Sequence, residues 1–496
     1  MLPGMVLGRP RWFVTLFLTD MWERFSFFGM IAILALYAAA SPASGGLGLP
    51  MGTAAALFGA YVGLVFMAAM PGGWLGDRVL GERRAVVIGG SGIALGHFTM
   101  LVPAAAATWI GLGLIAAGTG LLKPNMLALL GRFHGPGQSA QRESTLSLFY
   151  VSIQLSALVA PLVTGFLGET INWHLGFAAA GVGMTFGVVQ FVLGSRSFGN
   201  LGREPGHPAS TAERRKAALV AGVSTIVVAA LAAADVLAGT FTLMHVVIAM
   251  GLLSLLAPVA YFLILRRSPA LSMPQRRRVS AFGWVLASTA LFWMFVIQGN
   301  SLLSLFAAHS TDRQLGGFTI PAGWFASATP LFMLLLAPAL AVLWTRAGER
   351  ISLPVKIAAG LAAAAGSMLL MSAASGLADG GLVSPWWLIL VYLLLAVGEV
   401  VLAPVGLSAS VDVAPSTFAG RTMGLYWMCS AFGAGIGSQI VHLADVLPRP
   451  VYYLVLAGAG LGSGLALVLA RRSLTTRLAV PAPETPVAPV ASVAAR

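Results

Sequence analysis

Apolar runs long enough to cross a lipid bilayer recur along this chain, and they constrain its fold more than any other feature. A membrane-spanning α-helix needs about 20 mostly apolar residues, and the sequence offers about fourteen such runs. Charged residues make up only 9% of the chain, against about 25% in soluble domains. The pattern predicts an all-α polytopic membrane protein, with spans at residues 12–39, 53–75, 84–105, 108–130, 145–167, 173–194, 216–238, 242–265, 280–307, 321–344, 353–376, 385–411, 421–443 and 451–470.

The basic residues give the chain a net charge of +13 and concentrate in alternate loops. Such a charge alone would also fit a nucleic-acid partner, but the alternation follows the positive-inside rule of membrane proteins. With an even number of spans, this rule predicts that both termini lie in the cytoplasm. We therefore expect a multi-pass protein of the cell (inner) membrane. Its partner is then the lipid bilayer, and we expect no nucleic acid partner.

Two acidic residues and one basic residue interrupt the first apolar run. On a helix, one face would carry four residues of this run. They are Asp20 and the residues three, four and seven positions after it, Glu23, Arg24 and Phe27. Charged neighbours on one face of a helix can form ion pairs. An ionisable residue at mid-membrane costs about 2.5–3.5 kcal/mol, and such residues usually mark a substrate or proton path.

A short repeat divides the chain into two halves. The tripeptide Gly-Glu-Arg occurs at 81–83, after the second apolar run, and again at 348–350. Internal repeats are typical of secondary transporters, and setting aside one pair of apolar runs leaves six runs in each half. We predict an N-terminal six-helix bundle over 1–198, an inserted helix pair with linkers over 199–275, a C-terminal six-helix bundle over 276–471 and a disordered cytoplasmic tail over 472–496.

A set of longer motifs runs in order through both halves. The motifs are Glu23-Arg24-Phe25 with Gly29, Gly118-Thr119-Gly120 with Lys123-Pro124-Asn125, Phe149-Tyr150, Trp173-His174, Trp324-Phe325, Gly398-Glu399, and Gly424 with Trp427. Together they resemble the proton-dependent oligopeptide transporter family of the major facilitator superfamily. The resemblance implies the major facilitator fold and proton-coupled symport of di- or tripeptides, or peptide-like molecules, by alternating access. It implies a monomer that is not an enzyme and that uses protons as coupling ions and no cofactor.

The charges in these motifs suit a zwitterionic substrate, which needs a cationic pole for its carboxylate and an anionic pole for its amine. The resemblance implies that Arg24 and Lys123 bind the carboxylate and that Glu399 faces the amine. Glu23 and Asp20 are then the candidates for proton coupling. The other residues expected to line the substrate cavity are Phe27, Phe28, Tyr61, Tyr150, Gln154, Gln298, Thr329, Ser408 and Trp427.

The expected cavity departs from the family pattern where that pattern offers hydrogen bonds. Phe27 and Phe28 replace two tyrosines, and Gln154 and Thr329 each replace an asparagine. Small peptides are the leading substrate, but the losses also fit a modified amino acid, a peptide-like natural product or another organic anion. A non-transporting sensor that uses the same cavity is a weaker alternative.

The gates also differ from the family pattern. Ile31 and Ile297 occupy the positions of an arginine and a glutamate that form a salt bridge in the family. Replacing both ends of a buried pair by apolar groups can be neutral or stabilising, so we interpret these two residues as an apolar extracellular gate. The other gating residues that the resemblance implies are Lys123, Glu399, Asp77 and Arg78.

The sequence contains no set of residues typical of an enzyme active site or a metal site. The single cysteine, Cys429, excludes an intramolecular disulfide and a multi-cysteine metal site. The glycine pairs at 72–73 and at 118 and 120 are interpreted as positions where helices approach closely, not as phosphate-binding loops.

The apolar gate can be tested by restoring charges. Ile31→Arg should place an unpaired cation in the gate and destabilise the protein by about 3–5 kcal/mol. The double variant Ile31→Arg/Ile297→Glu should recover part of that loss because the two charges can pair. Thermal unfolding of the purified variants measures both effects, and a double variant no more stable than the single one contradicts the pairing.

Overall fold

The chain folds almost entirely into α-helices. A computed structural model describes residues 5–6, 9–133, 139–269, 271–347, 350–412 and 419–478. The helices of the first half are α1 (Arg11–Ala39), α2 (Met51–Leu75), α3 (Glu82–Thr99), α4 (Ala105–Arg132), α5 (Ser139–Phe166) and α6 (Trp173–Gly194). The inserted pair is α7 (Thr211–Leu237) and α8 (Leu243–Arg266). The helices of the second half are α9 (Met273–Gly299), α10 (Leu302–Ser310), α11 (Ala328–Ala347), α12 (Leu353–Ala378), α13 (Trp386–Asp412), α14 (Ala419–Ile440), α15 (Leu443–Val446), α16 (Arg449–Leu469) and α17 (Arg471–Leu478).

Short elements connect or extend these helices. Two antiparallel pairs of strands are β1 (Met5–Val6) with β2 (Arg9–Pro10), and β3 (Gln314–Leu315) with β4 (Phe318–Thr319). The 3-10 helices are Pro42–Ser44, Ser195–Phe198 and Ala322–Ser327, and the π-helical turns are Gly76–Leu80 and Leu167–Ile171.

The described helices confirm a polytopic membrane fold. Twelve of them are long and apolar enough to cross a membrane, by length and composition. The predicted spans 84–105 and 421–443 correspond to α3 and α14, which are helices but are not among those twelve. The predicted span 280–307 is divided into α9 and α10 at Asn300 and Ser301.

Most helix contacts are made within one half of the chain. In the first half, α1 packs against α5 and α6, and α3 packs against α4. In the second half, α12 packs against α13 and α16, and α9 packs against α14. The halves meet where α2 contacts α14 and where α5 contacts α11. The domain boundaries predicted from the sequence stay a prediction, although the helices group in this order.

The two helices of the inserted pair differ in their environment. Helix α8 packs against α2 of the first half and α14 of the second, whereas α7 has no buried residue. A helix that is apolar and exposed all round suits a lipid environment.

The predicted disordered tail requires a correction at its start. Residues 471–478 form α17, whose Leu474 and Leu478 are buried against the second half. Two leucines four residues apart lie on one face of a helix, and burying them offsets the entropy of ordering this segment. The rest of the predicted tail, 479–496, lies outside the described residues.

The helix bundle has two ends, which we call the basic face and the opposite face. The basic face carries Arg78, Arg83 and Arg132, which lie after α2, at the start of α3 and at the end of α4. The opposite face carries the loop between α1 and α2 and the turn Leu167–Ile171 that follows α5.

The motif glycines allow close contact between helices, as predicted. A Cβ at Gly72 of α2 would clash with the carbonyl oxygen of Gly120 on α4. A Cβ at Gly120 would in turn lie 2.6 Å from the carbonyl carbon and oxygen of Ala68 on α2. Backbone cannot yield as a flexible side chain can, so both positions require glycine for α2 and α4 to pack at this distance.

Gly120→Ala should therefore destabilise the protein by about 1–3 kcal/mol because it overpacks the contact between α2 and α4. Gly113→Ala is the matched control on the same helix, since a Cβ there meets no atom within 4 Å. Alanine is the better helix former, so this control should unfold at the same temperature as the parent protein or higher. Equal melting temperatures for the two variants would refute the close-contact explanation.

Candidate substrate and proton site

Four buried charges form a cluster between α1 and α4. Lys123 on α4 places its Nζ 2.6 Å from Asp20 Oδ1 and 3.4 Å from Glu23 Oε2. Arg24 donates from Nε to Glu23 Oε2 at 2.6 Å and from Nη2 to Glu23 Oε1 at 2.5 Å. The sequence prediction that Asp20, Glu23 and Arg24 share one helical face is confirmed by these contacts.

The cluster is neutral as a whole, with two carboxylates and two cations. Asp20 and Glu23 are each only 1% exposed, so neither carboxylate has water as a partner. Ser152 of α5 adds a hydrogen bond of 3.1 Å from its hydroxyl to Asp20 Oδ2. A buried ion pair is tolerated when its remaining hydrogen-bonding capacity is satisfied, and removing one member leaves a costly unpaired charge.

Aromatic rings cover the guanidinium of this cluster. The Cζ atom of Arg24 lies 4.8 Å from the centre of the Phe27 ring and 5.9 Å from that of Phe28. A cation near an aromatic face is attracted by the ring quadrupole. The two phenylalanines therefore hold Arg24 without competing for its hydrogen bonds, as tyrosine hydroxyls could.

Glu399 on α13 supplies an acidic group from the second half. It is half-buried, and within the described part of the chain it makes no ion pair or hydrogen bond. It lies close enough to Tyr150 of α5 and Tyr426 of α14 to interact electrostatically with both. Tyr150 also hydrogen-bonds the side chain of Gln154. These contacts bring acid, phenol and amide groups from both halves to one region.

The other residues expected in the cavity differ in their exposure. Trp427 is 48% exposed and Tyr150 is 40% exposed, so open space adjoins both. Thr329 is half-buried and Ser408 is exposed. Tyr61 and Gln298 are almost fully buried. The Tyr61 hydroxyl and Gln298 Oε1 have no hydrogen-bond partner among the described residues.

The expected gating residues have different surroundings. Ile31 and Ile297 are 6% and 7% exposed and belong to the same apolar cluster, although they come from different halves. Lys123 contacts the two acids of α1, and no ion pair joins it to Glu399 among the described side chains.

Asp77 and Arg78 contact the linker that leads to the inserted helices. The carbonyl groups of Asp77 and Arg78 accept hydrogen bonds from the backbone of His207 and Ala209 at 3.2 and 2.9 Å. Arg78 Nη1 also lies 3.7 Å from Glu213 Oε1 at the start of α7. In this conformation the pair anchors the linker, and its gating role stays a prediction.

Glu169 joins the two halves at the opposite face. Its carboxylate accepts hydrogen bonds of 2.7 Å from the backbone N–H groups of Ala322 and of Gly323, the first two residues of a 3-10 helix. Arg313 Nη1 lies 3.6 Å from Glu169 Oε2. A carboxylate at the start of a helix satisfies N–H groups that would otherwise lack partners.

Sequence reasoning did not select Glu169 as a functional residue. An acidic residue at the end of an apolar run looks like an ordinary loop charge. Its partners are backbone groups about 150 positions later, which no side-chain pattern encodes. The available signal was that the segment 321–325, Pro-Ala-Gly-Trp-Phe, begins a helix with no acidic or hydroxyl side chain of its own to cap it.

The hydrogen bonds and the ion pair described between the two halves lie toward the opposite face. Besides those of Glu169, Trp324 Nε1 donates to the Leu162 carbonyl at 2.9 Å, and the Ser327 hydroxyl donates to the Leu158 carbonyl at 2.7 Å. Nearer the basic face, Tyr150 and Trp427 are exposed. The described hydrogen bonds and ion pair between the halves therefore hold them together at the opposite face.

Two helix bundles around a charged central cavity define a membrane transporter of the major facilitator type. The family model described as the POT family matches residues 83–455, and this chain belongs to that family. The resemblance inferred from the motifs is thereby confirmed. No cluster of three or more histidine, cysteine or acidic residues suited to a metal ion occurs in the ranges that the structure describes.

Relatives of known sequence and structure cover nearly the whole chain. A di-/tripeptide transporter of Lactococcus lactis subsp. cremoris is 31% identical over 487 residues, which span 94% of this chain and 96% of that protein. A crystal structure of peptide transporter POT in complex with sulfate is 38% identical, with a TM-score of 0.90 over 96% of this chain and 97% of the other. A crystal structure of a POT family transporter in complex with 5-aminolevulinic acid is 30% identical, with a TM-score of 0.90 over 95% and 98%.

Removing the Glu169 carboxylate should open the contact between the halves. Each hydrogen bond to a charged group contributes about 1.5–3 kcal/mol, so Glu169→Ala should shift the equilibrium at least tenfold away from the closed opposite face. Spin labels at the exposed positions Ser44 and Leu315, in a Cys429→Ser background, report the separation of the halves. The control is Glu204→Ala, an exposed acid near the basic face. Unchanged distances in the Glu169 variant would show that this contact does not hold the face closed.

Proposed function

We propose that this protein is a proton-coupled symporter that takes up di- and tripeptides, or peptide-like molecules, by alternating access. The observation that carries the proposal is the neutral four-charge cluster on α1 and α4, together with Glu399 of the second half, an acid without an ion-pair partner among the described residues. This arrangement offers opposite poles to a zwitterion. The Lactococcus relative named a di-/tripeptide transporter supports peptides as the substrate class.

Substrate binding follows from the availability of each charge. The peptide ammonium binds Glu399, which has no competing partner in the described chain. The peptide carboxylate needs a cation, but Arg24 is occupied by both oxygens of Glu23. A proton on Glu23 removes the negative charge that Arg24 neutralises, and the guanidinium then becomes available to the carboxylate. Lys123 keeps Asp20 as its closer partner, at 2.6 Å.

This exchange couples the proton to the substrate. Without the proton, a peptide carboxylate would have to displace Glu23 from Arg24 and leave a buried carboxylate unpaired, which costs several kcal/mol. With the proton on Glu23, one negative charge replaces another and the cluster stays neutral. Binding that depends on both ligands biases the equilibrium between the two access states.

The proposed orientation places the basic face in the cytoplasm, in accordance with the positive-inside rule. Both termini are then cytoplasmic, and the opposite face, which Glu169 holds closed, is extracellular. The conformation described here is accordingly open to the cytoplasm. The protein is proposed to act as a monomer in the inner membrane, with protons as the coupling ion and no cofactor.

A substrate other than an ordinary peptide is the second candidate. The cavity presents Phe27 and Phe28 beside Arg24, and these rings offer no hydrogen bonds to a peptide backbone. The structural neighbour in complex with 5-aminolevulinic acid shows that a fold this similar accommodates a small amino acid analogue. Competition by unlabelled dipeptides against 5-aminolevulinic acid in uptake assays distinguishes the two substrate classes.

Uptake of labelled dipeptides into proteoliposomes, with and without an inward proton gradient, tests the proposal. The parent protein should accumulate dipeptide only with the gradient. Glu23→Gln should abolish accumulation and retain exchange, because it mimics the protonated acid permanently. Glu399→Gln should weaken dipeptide binding at least tenfold, because it removes the partner of the ammonium group.

The matched control is Glu204→Gln, which alters an exposed acid outside the cavity and should transport normally. Gradient-driven accumulation by Glu23→Gln would exclude Glu23 as the coupling group. A folded parent protein that accumulates no dipeptide would exclude peptide symport and favour the second substrate class.

A further inference from the structure

Glu169 is the acidic side chain through which the two halves contact each other at the opposite face. It lies in the first half, whereas its described partners, the N–H groups of Ala322 and Gly323 and the guanidinium of Arg313, lie in the second. The side chain is 12% exposed, so these partners replace most of the water that an ionised carboxylate would otherwise bind. Its negative charge is therefore stabilised by contacts that last only while the halves are joined.

The other hydrogen bonds described between the halves involve no group that titrates near neutral pH. Trp324 Nε1 and the Ser327 hydroxyl each donate to a backbone carbonyl of α5. Arg313 keeps its charge at any physiological pH, because guanidinium groups are not deprotonated in proteins. Within these described contacts, a proton can therefore change the interface only at the Glu169 carboxylate.

Arg313 is the charged group that acts electrostatically on this carboxylate. Asp312, which precedes Arg313 in the chain, is exposed and accepts a hydrogen bond from the Gln314 N–H. The titratable side chains of the surrounding elements bond to other groups, and they are Tyr37 of α1, His174 of α6, His309 of α10 and Tyr392 of α13. None of these hydrogen bonds involves Glu169, so no second acid or base among the described residues takes part in its protonation.

We infer that Glu169 is a second proton-binding residue, and that a proton bound there releases the contact between the halves at the opposite face. A protonated carboxyl is uncharged, so its hydrogen bonds from two N–H groups weaken, because charge-assisted hydrogen bonds are about twice as strong as neutral ones. Arg313 loses its anionic partner but keeps its hydrogen bonds to the Ile320 and Ala308 carbonyls. The loss is therefore confined to the contact between the halves.

The direction of the effect follows from the partners that Glu169 has in each arrangement. When the halves separate, Glu169 exchanges its partners for water, which solvates both forms of the acid. The joined arrangement favours the ionised form, so proton binding favours the separated one. Acid at the opposite face thus opens that face, and the proton must leave before it closes. The inference rests on the alternating access of the proposed function, to which it adds a proton that acts on the gate and not on the substrate.

Acid titration of the distance between the halves tests this inference. Spin labels at Ser44 and Leu315, in the Cys429→Ser background of the full chain, report the separation at the opposite face. Between mildly alkaline and mildly acidic pH, the ratio of separated to joined molecules in the parent should rise about tenfold or more, because charge-assisted hydrogen bonds are weakened. Glu169→Gln stays uncharged at every pH, so it should be largely separated at alkaline pH already and should lose this response.

Asp312→Asn is the matched control, because it removes an exposed acid next to Arg313 and should respond to acid like the parent. Glu169→Asp keeps an ionisable group on a shorter side chain, so it should begin more separated and retain part of the response. The inference is overturned if the parent distances do not change with pH, or if Glu169→Gln responds as strongly as the parent. Glu169→Asp with the parent's ratio at every pH would overturn it as well, which keeps the test decisive if Glu169→Gln does not fold.

The two proposals fail separately in these experiments. Acid-induced separation that is lost in Glu169→Gln supports this proton site even if the parent protein accumulates no dipeptide. Gradient-driven dipeptide accumulation by a parent protein whose distances do not respond to acid supports the transport function and refutes this site.

Discussion

The interaction between α1 and α4 through four buried charges determines how the central cavity can work. Two carboxylates that are only 1% exposed lie against two partly exposed cations, so each carboxylate is stable mainly through its partners. Removing or neutralising any one of them forces the remaining three to rearrange. A neutral and fully paired cluster is therefore a structural contact between α1 and α4, and in the proposed mechanism it also responds to protons and to the substrate carboxylate.

The same constraint explains the division of roles between the halves. The first half carries both cations and the two acids that pair with them, whereas the second contributes Glu399 without a partner among the described residues. A ligand that neutralises Glu399 and also engages the cluster must contact both halves. The polar contacts of Glu169 join the halves at the opposite face, and Ile31 and Ile297 belong to one apolar cluster that includes residues of both halves. In the proposed mechanism the substrate thus binds between two bodies that are already held together at one end.

Much of this arrangement is predictable from the sequence, because it depends on local periodicity. The apolar runs predict the helices, and the spacing of Asp20, Glu23 and Arg24 predicts their common face. The family motifs lead to Lys123 and Glu399. Contacts with backbone are not predictable in this way, since Glu169 bonds to N–H groups whose identity no side chain reveals. The approach of Asp445 to Gly52 likewise depends on how two distant helices meet, and α17 depends on the surface that buries its two leucines.

Helix α8 contacts both halves, and its contacts are made largely by small residues. A Cβ at Gly63 of α2 or at Gly435 of α14 would meet Ser254, and a Cβ at Gly251 would meet Ser438 and Gln439. Surfaces built from glycine and serine have shallow ridges, so one helix can slide along another with few changes of rotamer. In the proposed alternating-access cycle, such a surface lets α8 stay in contact with α2 and α14 while these move relative to each other, and it covers the seam between the halves from the lipid.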